Sequence, residues 1–299
     1  MTPFVVGIVG DSGSGKNTVA DAVQALLGPE RVTDLRLDDY LRLTRAERAE
    51  RGVTALNPVV HNMPLMAEHL ELLRQGRPIR NRSYDHSDGT FGPIRAIEPR
   101  EIILVRGLLG FPTEELRVLY DLAVFLHPEP ELLFRWKLRR DVLSRGYTEA
   151  EVLKRIAQYV LDAKEFIIPQ VGRADLVVRE ELPDPDAPDA AVRTSLLFRG
   201  AARGPAQRDE LVPGLAAASR EEQGGETVVR LAADLDPAAV DAWGEALFPE
   251  HYDTRRIGTY LGEGGERARR PQLALVEVVV ARLALLLRDR EHGSDKEAR

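Results

Sequence analysis

Glycines and one lysine are concentrated just after the first apolar segment of the chain. The run is Gly10, Asp11, Ser12, Gly13, Ser14, Gly15, Lys16, Asn17 and Thr18. Glycine lets successive backbone N–H groups converge on phosphate oxygens, and the lysine adds a positive charge for the β- and γ-phosphates. A helix that begins here would direct the positive end of its dipole at the same anion. This spacing between a strand and a helix predicts a phosphate-binding loop, or P-loop, whose residues hold a nucleotide or another phosphate.

The residue after the lysine departs from that pattern. A serine or threonine usually follows, and its hydroxyl ligates Mg²⁺, whereas here the residue is Asn17. An amide oxygen can also ligate Mg²⁺, although it lies further from the backbone, and Thr18 can contact a phosphate. We therefore expect phosphate binding with an altered Mg²⁺ site, for which Asn17 and Asp38 are the candidate ligands.

Two aspartates, Asp38 and Asp39, follow the second predicted strand. The ligand crevice of a parallel sheet lies at the C-terminal ends of its strands, so a carboxylate here would lie near the P-loop. Phosphoryl transfer to a hydroxyl needs a group that orients the acceptor, often a carboxylate. Asp38 is the candidate base. The alternative is that Asp38 caps the segment over residues 40–51, because aspartate favours helix N-termini.

Basic residues are concentrated in a predicted helix near residues 135–145. They are Arg135, Lys137, Arg139, Arg140 and Arg145, against the single acid Asp141. Lys137, Asp141 and Arg145 stand four residues apart and share a face. A mobile basic helix that closes over ATP would supply positive charge and exclude water. A solvated face of salt bridges explains the same pattern.

A polar segment with one tyrosine and one histidine, Ser83-Tyr84-Asp85-His86, lies in a predicted loop close to Gly89 and Gly92. Such a loop can bind a small polyol, and it can also be a plain turn.

The elements that would position these residues alternate between strands and helices. Short apolar runs predict strands over residues 3–9, 32–37, 101–105, 122–126 and 175–178, and helical spacing predicts helices over residues 18–28, 63–75, 132–143, 148–160 and 273–287. Thr148 with Glu151 predicts a capping box at the fourth helix. Fully apolar strands in such an alternation are typical of an α/β fold with a mostly parallel sheet flanked by helices.

The chain divides into four expected parts. Residues 1–182 form a P-loop kinase core with a helical lid near residues 135–165. Residues 183–225, rich in Pro, Ala, Gly and charge, form a loop-rich connection with one possible strand at 194–198. Residues 226–288 form a C-terminal extension that packs on the core, and residues 289–299 form a charged, frayed tail. By analogy with related kinases, a homodimer is plausible.

Composition excludes several classes of function. The 299 residues carry 41 Lys and Arg against 48 Asp and Glu, a net charge of −7. This balance argues against nucleic-acid or anionic-membrane partners, which require clustered positive charge. The chain has no cysteine, which excludes disulfides, thiol nucleophiles and control by a cysteine pair. The N-terminus lacks a secretory pattern, and we expect a cytoplasmic location.

The combination of motifs resembles the phosphoribulokinase/uridine kinase family of P-loop kinases, and within it the plant and cyanobacterial type of phosphoribulokinase. The matching stretches are GDSGSGKNT (10–18), LDDY (37–40), GVTALNP (52–58), YDH (84–86), WKLRRDVLSRGYT (136–148) and IPQ with ADLVV (168–178). The resemblance runs from residue 5 to about residue 178. Beyond it, IGTYL (257–261) and the final helix are only loosely similar.

The resemblance implies a transfer of phosphate from MgATP to a hydroxyl of ribulose 5-phosphate. It makes Asp38 the catalytic base and associates Asp141 with catalysis or metal binding. It places Arg45, Arg140, Arg145 and His86 at the sugar phosphate or ATP. Asp39, Tyr40 and Tyr84, from the matching LDDY and YDH stretches, are the further candidates for substrate contact.

Several positions depart from the family pattern. Arg106 stands where the family has an acidic residue of the Mg²⁺ site, and Leu109 and Leu41 stand where it has histidines. Tyr159 and Val160 occupy the place of a basic pair late in the lid. Arg106 could replace one metal charge and bind the β- and γ-phosphates, with Asp39 taking the acid's role, or it could mark a chain that binds nucleotide without turnover.

Three functions therefore remain open. The first is ATP-dependent phosphorylation of a small sugar phosphate, with a nucleoside as a less favoured acceptor. The second is a nucleotide-binding regulatory protein without kinase activity. The third is a structural partner module that uses the acidic surface and the segment 183–225.

Overall fold

Residues 2–207, 211 and 217–297 are described by the structure, a computed structural model of the chain. The strands are β1 (Phe4–Gly10), β2 (Val32–Arg36), β3 (Ile79–Tyr84), β4 (Phe91–Ile97), β5 (Ile102–Gly107), β6 (Leu122–Pro128), β7 (Leu176–Glu181), β8 (Arg193–Phe198), β9 (Ala217–Gln223), β10 (Glu226–Leu231), β11 (Thr259–Leu261) and β12 (Arg267–Arg269). The helices are α1 (Lys16–Leu27), α2 (Arg45–Glu50), α3 (Met63–Arg74), α4 (Glu114–Arg117), α5 (Pro130–Arg145), α6 (Glu149–Asp162), α7 (Gly200–Gln207), α8 (Pro237–Leu247) and α9 (Pro271–Glu297).

An eight-stranded sheet runs through the molecule in the order β2-β5-β1-β6-β7-β8-β10-β9. The first five of these strands are parallel, and the last three join antiparallel. Every residue of β1 and β5 is buried, because both faces of the parallel part are covered. The predicted α/β fold with a mostly parallel sheet flanked by helices is confirmed.

The two faces of the sheet carry separate apolar layers. Val6 and Ile8 of β1 belong to the layer that includes the buried residues of α1 and α9. Val5 and Val9 alternate to the opposite face, where the layer includes Leu70 of α3. Strand β1 is therefore held between the two layers. The P-loop begins at its C-terminal end, at the edge of the sheet.

The segment 183–225 is not mainly a loop, which corrects the expectation for this connection. It contributes β8, α7 and β9, and β8 pairs directly with β7 in the central sheet. Of these, the sequence indicated only β8. The many alanines, glycines and charged residues obscure the apolar pattern that identifies strands and helices. The tail also differs from the expectation, because α9 continues through residue 297.

A β-hairpin formed by β3 and β4 replaces the loop expected around residues 83–86. Tyr84 is the last residue of β3 and pairs with Phe91. His86 lies in the turn that follows, so the hairpin, which lies outside the main sheet, presents its turn to the site. Among the described residues, no helix has the length and apolarity needed to cross a membrane.

Candidate active site

The P-loop connects β1 to α1 at the C-terminal edge of the sheet. Its backbone turns through a hydrogen bond from Ser14 N–H to the carbonyl of Asp11, 3.1 Å long, and Lys16 Nζ donates to the same carbonyl at 3.1 Å. Lys16 is buried, and burial lowers the pKa of its ammonium to about 8 against the opposing charge of Asp38. The lysine is therefore held in the loop, where a phosphate would contact it.

Gly13 allows helix α5 to lie directly against the P-loop. Its backbone φ of 101° is a value that residues with a side chain rarely adopt. A Cβ at this position would lie 3.0 Å from the Cβ of Lys137. Ser12 Oγ accepts hydrogen bonds from Lys137 Nζ at 3.2 Å and Arg140 Nη2 at 3.1 Å. Two basic residues of the expected lid are thus fixed beside the phosphate-binding loop.

Asp38 faces the P-loop, as its position after β2 predicts. It lies in a 3₁₀ turn over Leu37–Tyr40, and its Oδ2 is 3.1 Å from His86 Nε2. Burial alone would raise the pKa of Asp38, but the hydrogen bond and charge of His86 and the charge of Lys16 hold it well below its usual range. Asp38 is therefore an ionised carboxylate at neutral pH and can accept a hydrogen bond from a hydroxyl group.

Asp39 and Tyr40 point away from this site, which corrects their assignment to the substrate. Asp39 Oδ1 accepts the backbone N–H of Tyr84 at 2.6 Å, and burial raises the pKa of its carboxyl. Tyr40 is buried with its hydroxyl 3.1 Å from His69 Nδ1. Successive residues of a 3₁₀ turn project about 120° apart, so Asp39 and Tyr40 point in different directions from Asp38. Asp39 contacts the β-hairpin, and Tyr40 packs in the core. Asp39 consequently does not take the place of the acid that Arg106 replaces.

A cavity of about 380 Å³ lies between the P-loop, the turn of Asp38 and helices α5 and α6, and we call it the lid cavity. Its lining includes Ser12, Lys16, Asn17, Asp38, Arg45, Tyr84, His86, Arg140, Asp141 and Arg145, all predicted as site residues. It also includes Lys137 of the predicted basic helix, together with Arg48, Lys154 and Arg155, which the sequence did not single out. Its acids are Asp38, Asp141 and Glu151. The excess of cations suits an anionic ligand.

Arg48 is a site residue that the sequence reasoning missed. Its guanidinium is buried and donates to the carbonyl of Leu43 at 2.6 Å and to the hydroxyl of Tyr84 at 2.8 Å. Arg45 on the same helix donates to the backbone carbonyl of His86. Arg45 and Arg48 are three residues apart and share a face of the helix. This spacing from a predicted site residue was the sequence feature that could have identified Arg48.

Asp141 organises the cations of α5 in this structure. Its Oδ1 is 2.8 Å from Arg140 Nη2 and 3.3 Å from Arg145 Nη1, and its Oδ2 is 3.9 Å from Lys137 Nζ. Burial lowers the pKa of Lys137 to about 8, aided by the nearby charge of Arg140. Lys137 Nζ also lies 3.9 Å from the centre of the Tyr159 ring. The four-residue spacing predicted this shared face.

The loop that carries the GVTALNP stretch joins the C-terminal end of the lid. Thr54 Oγ1 donates to Asp162 Oδ2 at 2.5 Å, and Gln158 Nε2 donates to Asp162 Oδ1 at 2.7 Å. Both Thr54 and Asp162 are buried. These contacts hold α6 over the lid cavity and are not visible in either segment alone.

Arg106 is committed to other side chains. Its Nε and Nη2 bind the two carboxylate oxygens of Asp34 at 2.8 and 2.7 Å, and its Nη1 binds Asp21 at 2.6 Å. Asp34 lies on β2 and Asp21 on α1, so the guanidinium joins three elements on the α1 face of the sheet. Leu41 and Leu109, at the other two altered positions, are buried apolar residues.

The remaining P-loop residues shape the loop or line a second cavity. Gly13, Ser14, Gly15, Lys16, Asn17, Thr18 and Arg140 border a cavity on the α9 side. Gly10 and Asp11 border neither cavity, and Asp11 Oδ1 accepts the N–H of Ser12 at 2.5 Å. The Ser14 hydroxyl is buried and finds no hydrogen-bond partner among the residues described. A phosphate oxygen is a partner that would satisfy it.

The donors available to Mg²⁺ fit an ion that arrives with a nucleotide. Within the described ranges, no group of three or more His, Asp or Glu side chains could hold a metal by itself. Asn17 and Asp38 border the same cavity. Mg²⁺ in such kinases is held by one or two protein oxygens together with phosphates and water, and these two residues can supply that share.

Comparison with known proteins identifies the family to which a chain with this site belongs. A model of the phosphoribulokinase / uridine kinase family matches residues 5–187. The chain belongs to this family. Its relatives include phosphoribulokinase of Synechocystis, 36% identical over 58% of this chain and 53% of that one. Uridine kinase of Lactiplantibacillus plantarum is 32% identical over 60% of this chain and 87% of that one.

The fold extends further than the sequence match. The solved structure of phosphoribulokinase from Rhodobacter spheroides superimposes with a TM-score of 0.60 and 17% identity, covering 84% of this chain and 99% of that chain. This family member spans about half the length of the phosphoribulokinases that it matches in sequence. The predicted membership of this kinase family is confirmed.

Proposed function

We propose that this protein transfers the γ-phosphoryl group of ATP to a hydroxyl of a small sugar phosphate, in the manner of a phosphoribulokinase. The observation that carries the proposal is that Asp38 and Lys16 border one cavity whose other charged residues are mostly cations. A carboxylate that accepts the proton of the acceptor hydroxyl, facing a lysine that holds the donor phosphates, is the arrangement that phosphoryl transfer requires.

The charges of the lid cavity favour a phosphorylated acceptor over a neutral one. Arg45, Lys154 and Arg155 border the cavity in addition to the cations of α5 that contact the P-loop. Nucleotide phosphates on the P-loop would occupy Lys16, Lys137 and Arg140. Arg45, Lys154 and Arg155 then remain for a second anion. A pentose phosphate therefore fits better than a nucleoside, which has no phosphate charge for them to bind.

Each residue then has a distinct task. Lys16, Lys137 and Arg140 bind the donor phosphates and offset the charge that spreads over them during transfer. Asp38 accepts the proton from the acceptor hydroxyl, and His86 keeps Asp38 ionised. Asp141 holds Arg140 and Arg145 in place. Asn17 and Asp38 would hold Mg²⁺, which supplies further neutralisation of the phosphate charge when it is bound with ATP.

A regulatory protein without turnover is the second candidate, and Arg106 is the observation that favours it. Where the family resemblance implies an acid, this chain has a cation whose three nitrogens are bound to Asp34 and Asp21. Such a protein would bind ATP equally well in EDTA and form no phosphorylated product.

The test is ADP release by the full chain with MgATP and a panel of pentose phosphates, pentoses and nucleosides. We expect turnover with at least one pentose phosphate, and we expect Asp38→Asn to lower kcat by about 10²- to 10⁴-fold, the usual loss of a general base. Asp39→Asn is the matched control, because its amide oxygen still accepts the Tyr84 N–H, and its kcat should stay near the wild-type value. No product with any acceptor, with ATP bound equally well in EDTA, would overturn the transfer reaction and favour the regulatory function.

A further inference from the structure

The basic residues of α5 divide into two sets with different partners. One set borders the lid cavity and consists of Lys137, Arg140 and Arg145. Arg135 and Arg139 do not border that cavity and pair instead with Asp189, at 3.6 Å from Arg135 Nη1 to Oδ1 and 2.5 Å from Arg139 Nη1 to Oδ2. The proposed reaction uses the first set only, so the second set requires a different explanation.

Asp189 is a buried acid that binds one turn of α5. It is 1% exposed, and its Oδ2 accepts hydrogen bonds from Trp136 Nε1 at 3.0 Å and from Arg139 Nη1. Arg135 also donates to the backbone carbonyl of Ala187 at 2.6 Å. The turn over residues 135–139 is therefore attached to the segment that follows β7 through a carboxylate that water scarcely reaches. Charge-assisted hydrogen bonds of this kind are the stronger ones in proteins.

Asp189 is itself held by the C-terminal third of the chain. Its N–H donates to Glu263 Oε1 at 2.9 Å, and its carbonyl accepts from Arg270 Nη1 at 3.4 Å. Glu263 lies between β11 and β12, and Arg270 directly precedes α9. The attachment point of α5 is thus formed by residues outside the matched range of residues 5–187.

Helix α5 depends on polar contacts of this kind because it buries little apolar surface. Its buried residues are Leu132, Lys137 and Asp141, of which one is apolar. Most helices are held by a buried apolar face. The contacts of α5 with the P-loop are the hydrogen bonds from Lys137 Nζ and Arg140 Nη2 to Ser12 Oγ. Since residues 136–140 form little more than one helical turn, holding Trp136 in place also holds Lys137 and Arg140.

We propose that Asp189 is a positioning residue for phosphoryl transfer, which fixes α5 so that Lys137 and Arg140 stay beside the phosphates on the P-loop. The inference rests on the proposed function for the reaction itself. Misplacing a charge-stabilising group by about 1 Å can cost about 10²-fold in rate. ATP binding depends less on Asp189, because Lys16 and the backbone N–H groups of the P-loop also hold the phosphates.

The experiment measures kcat and the Kd of MgATP for the full chain and for two variants, with a pentose phosphate that supports turnover. Asp189→Asn keeps an acceptor oxygen and removes the charge opposite Arg135 and Arg139, whereas Asp189→Ala removes both. We expect kcat to fall about tenfold in Asp189→Asn and about 10²-fold in Asp189→Ala, with the Kd of ATP within about threefold of the wild type in both. Asp186→Asn is the matched control, because it removes an exposed acid of the same segment, and its kcat should equal that of the wild type.

Trp136 supplies a spectroscopic signal for the same contact. The chain has two tryptophans, so in a Trp243→Phe background the fluorescence comes from Trp136 alone. Because Asp189 places a buried charge beside the indole N–H, we expect the emission maximum to shift in Asp189→Asn and Asp189→Ala and to stay unchanged in Asp186→Asn.

A purely structural role for Asp189 predicts a different result. Urea unfolding gives the folded fraction of each variant, and a kcat per folded molecule equal to that of the wild type would overturn the inference and leave the transfer reaction standing. An unshifted Trp136 emission in folded Asp189→Ala would also overturn it. If Asp189→Ala does not fold, Asp189→Asn decides by the same criteria. Absence of product from the wild type with every acceptor overturns the proposed function, and the role of Asp189 in transfer with it.

Discussion

His86 determines the protonation of the carboxylate on which the proposed reaction depends. Asp38 is largely buried, which favours its neutral form, and the hydrogen bond and charge of His86 reverse that preference and hold the pKa of Asp38 well below its usual range. An ionised base is present only at pH values above its own pKa. At the scale of single residues, we therefore expect the pair Asp38–His86 to set the acid limit of the proposed reaction.

His86→Ala should move that limit upward. Without His86, only the charges of Lys16 and His61 oppose the effect of burial, and we expect the pKa of Asp38 to rise. The rate is lost as the pH falls through this pKa, so the acid limb of kcat/KM moves towards neutrality. His86→Gln retains a donor without the charge and should shift the limb less. The pH profiles of kcat/KM for both variants check this, and an unshifted acid limb in His86→Ala would contradict it.

The sequence predicted features that depend on neighbouring residues, but it did not reveal contacts between side chains that are far apart in the chain. The P-loop spacing and the capping box of Thr148 and Glu151 depend on a few consecutive residues, and the described structure contains both. The sequence could not show that Asp39 would face the hairpin, because the direction of each side chain depends on the turn that the chain adopts. Arg48 was missed for a related reason, since its partner Tyr84 lies on a distant strand.

At the scale of elements, Arg106 fastens β5 to β2 and α1. It binds Asp34 in a two-pronged pair and Asp21 through its remaining nitrogen, and its side chain is only 6% exposed, against 66% for Asp21. The geometry explains why a cation is tolerated at a position where the family resemblance implies an acid: two carboxylates from neighbouring elements neutralise it. In this arrangement the arginine serves the packing of the core beside the P-loop.

Arg106→Met should therefore lower stability and leave nucleotide affinity nearly unchanged. Removing one partner of a buried ion pair typically costs about 3–5 kcal/mol, because the other charge stays buried. Asp21→Asn, which removes the exposed partner, should cost less than about 1 kcal/mol. Urea unfolding and ATP titration of both variants test this. An Arg106→Met protein of normal stability with sharply weaker ATP binding would show that Arg106 holds the phosphates.

At the scale of the whole molecule, the C-terminal third completes the core of the kinase. Buried residues of α9 belong to the same apolar layer as those of β1 and α1, and β8, β10 and β9 extend the same sheet. Residues 226–288 were expected to form an extension that packs on the core. Because α9 shares an apolar layer with β1 and α1, we expect the P-loop strand and the final helix to stabilise each other.

The two tryptophans of the chain make this dependence measurable, because Trp136 lies in α5 and Trp243 in α8. In Trp243→Phe, fluorescence reports on the lid side alone, and in Trp136→Phe, on the C-terminal side alone. Because both halves share one apolar layer, we expect the fluorescence transition of each variant to coincide with its own far-ultraviolet circular dichroism transition. Leu283→Ala, which empties a fully buried position of α9, should lower the stability seen by either tryptophan by about 2–5 kcal/mol. A Leu283→Ala effect confined to Trp243, with the Trp136 transition unmoved, would show that the P-loop core folds without the C-terminal third.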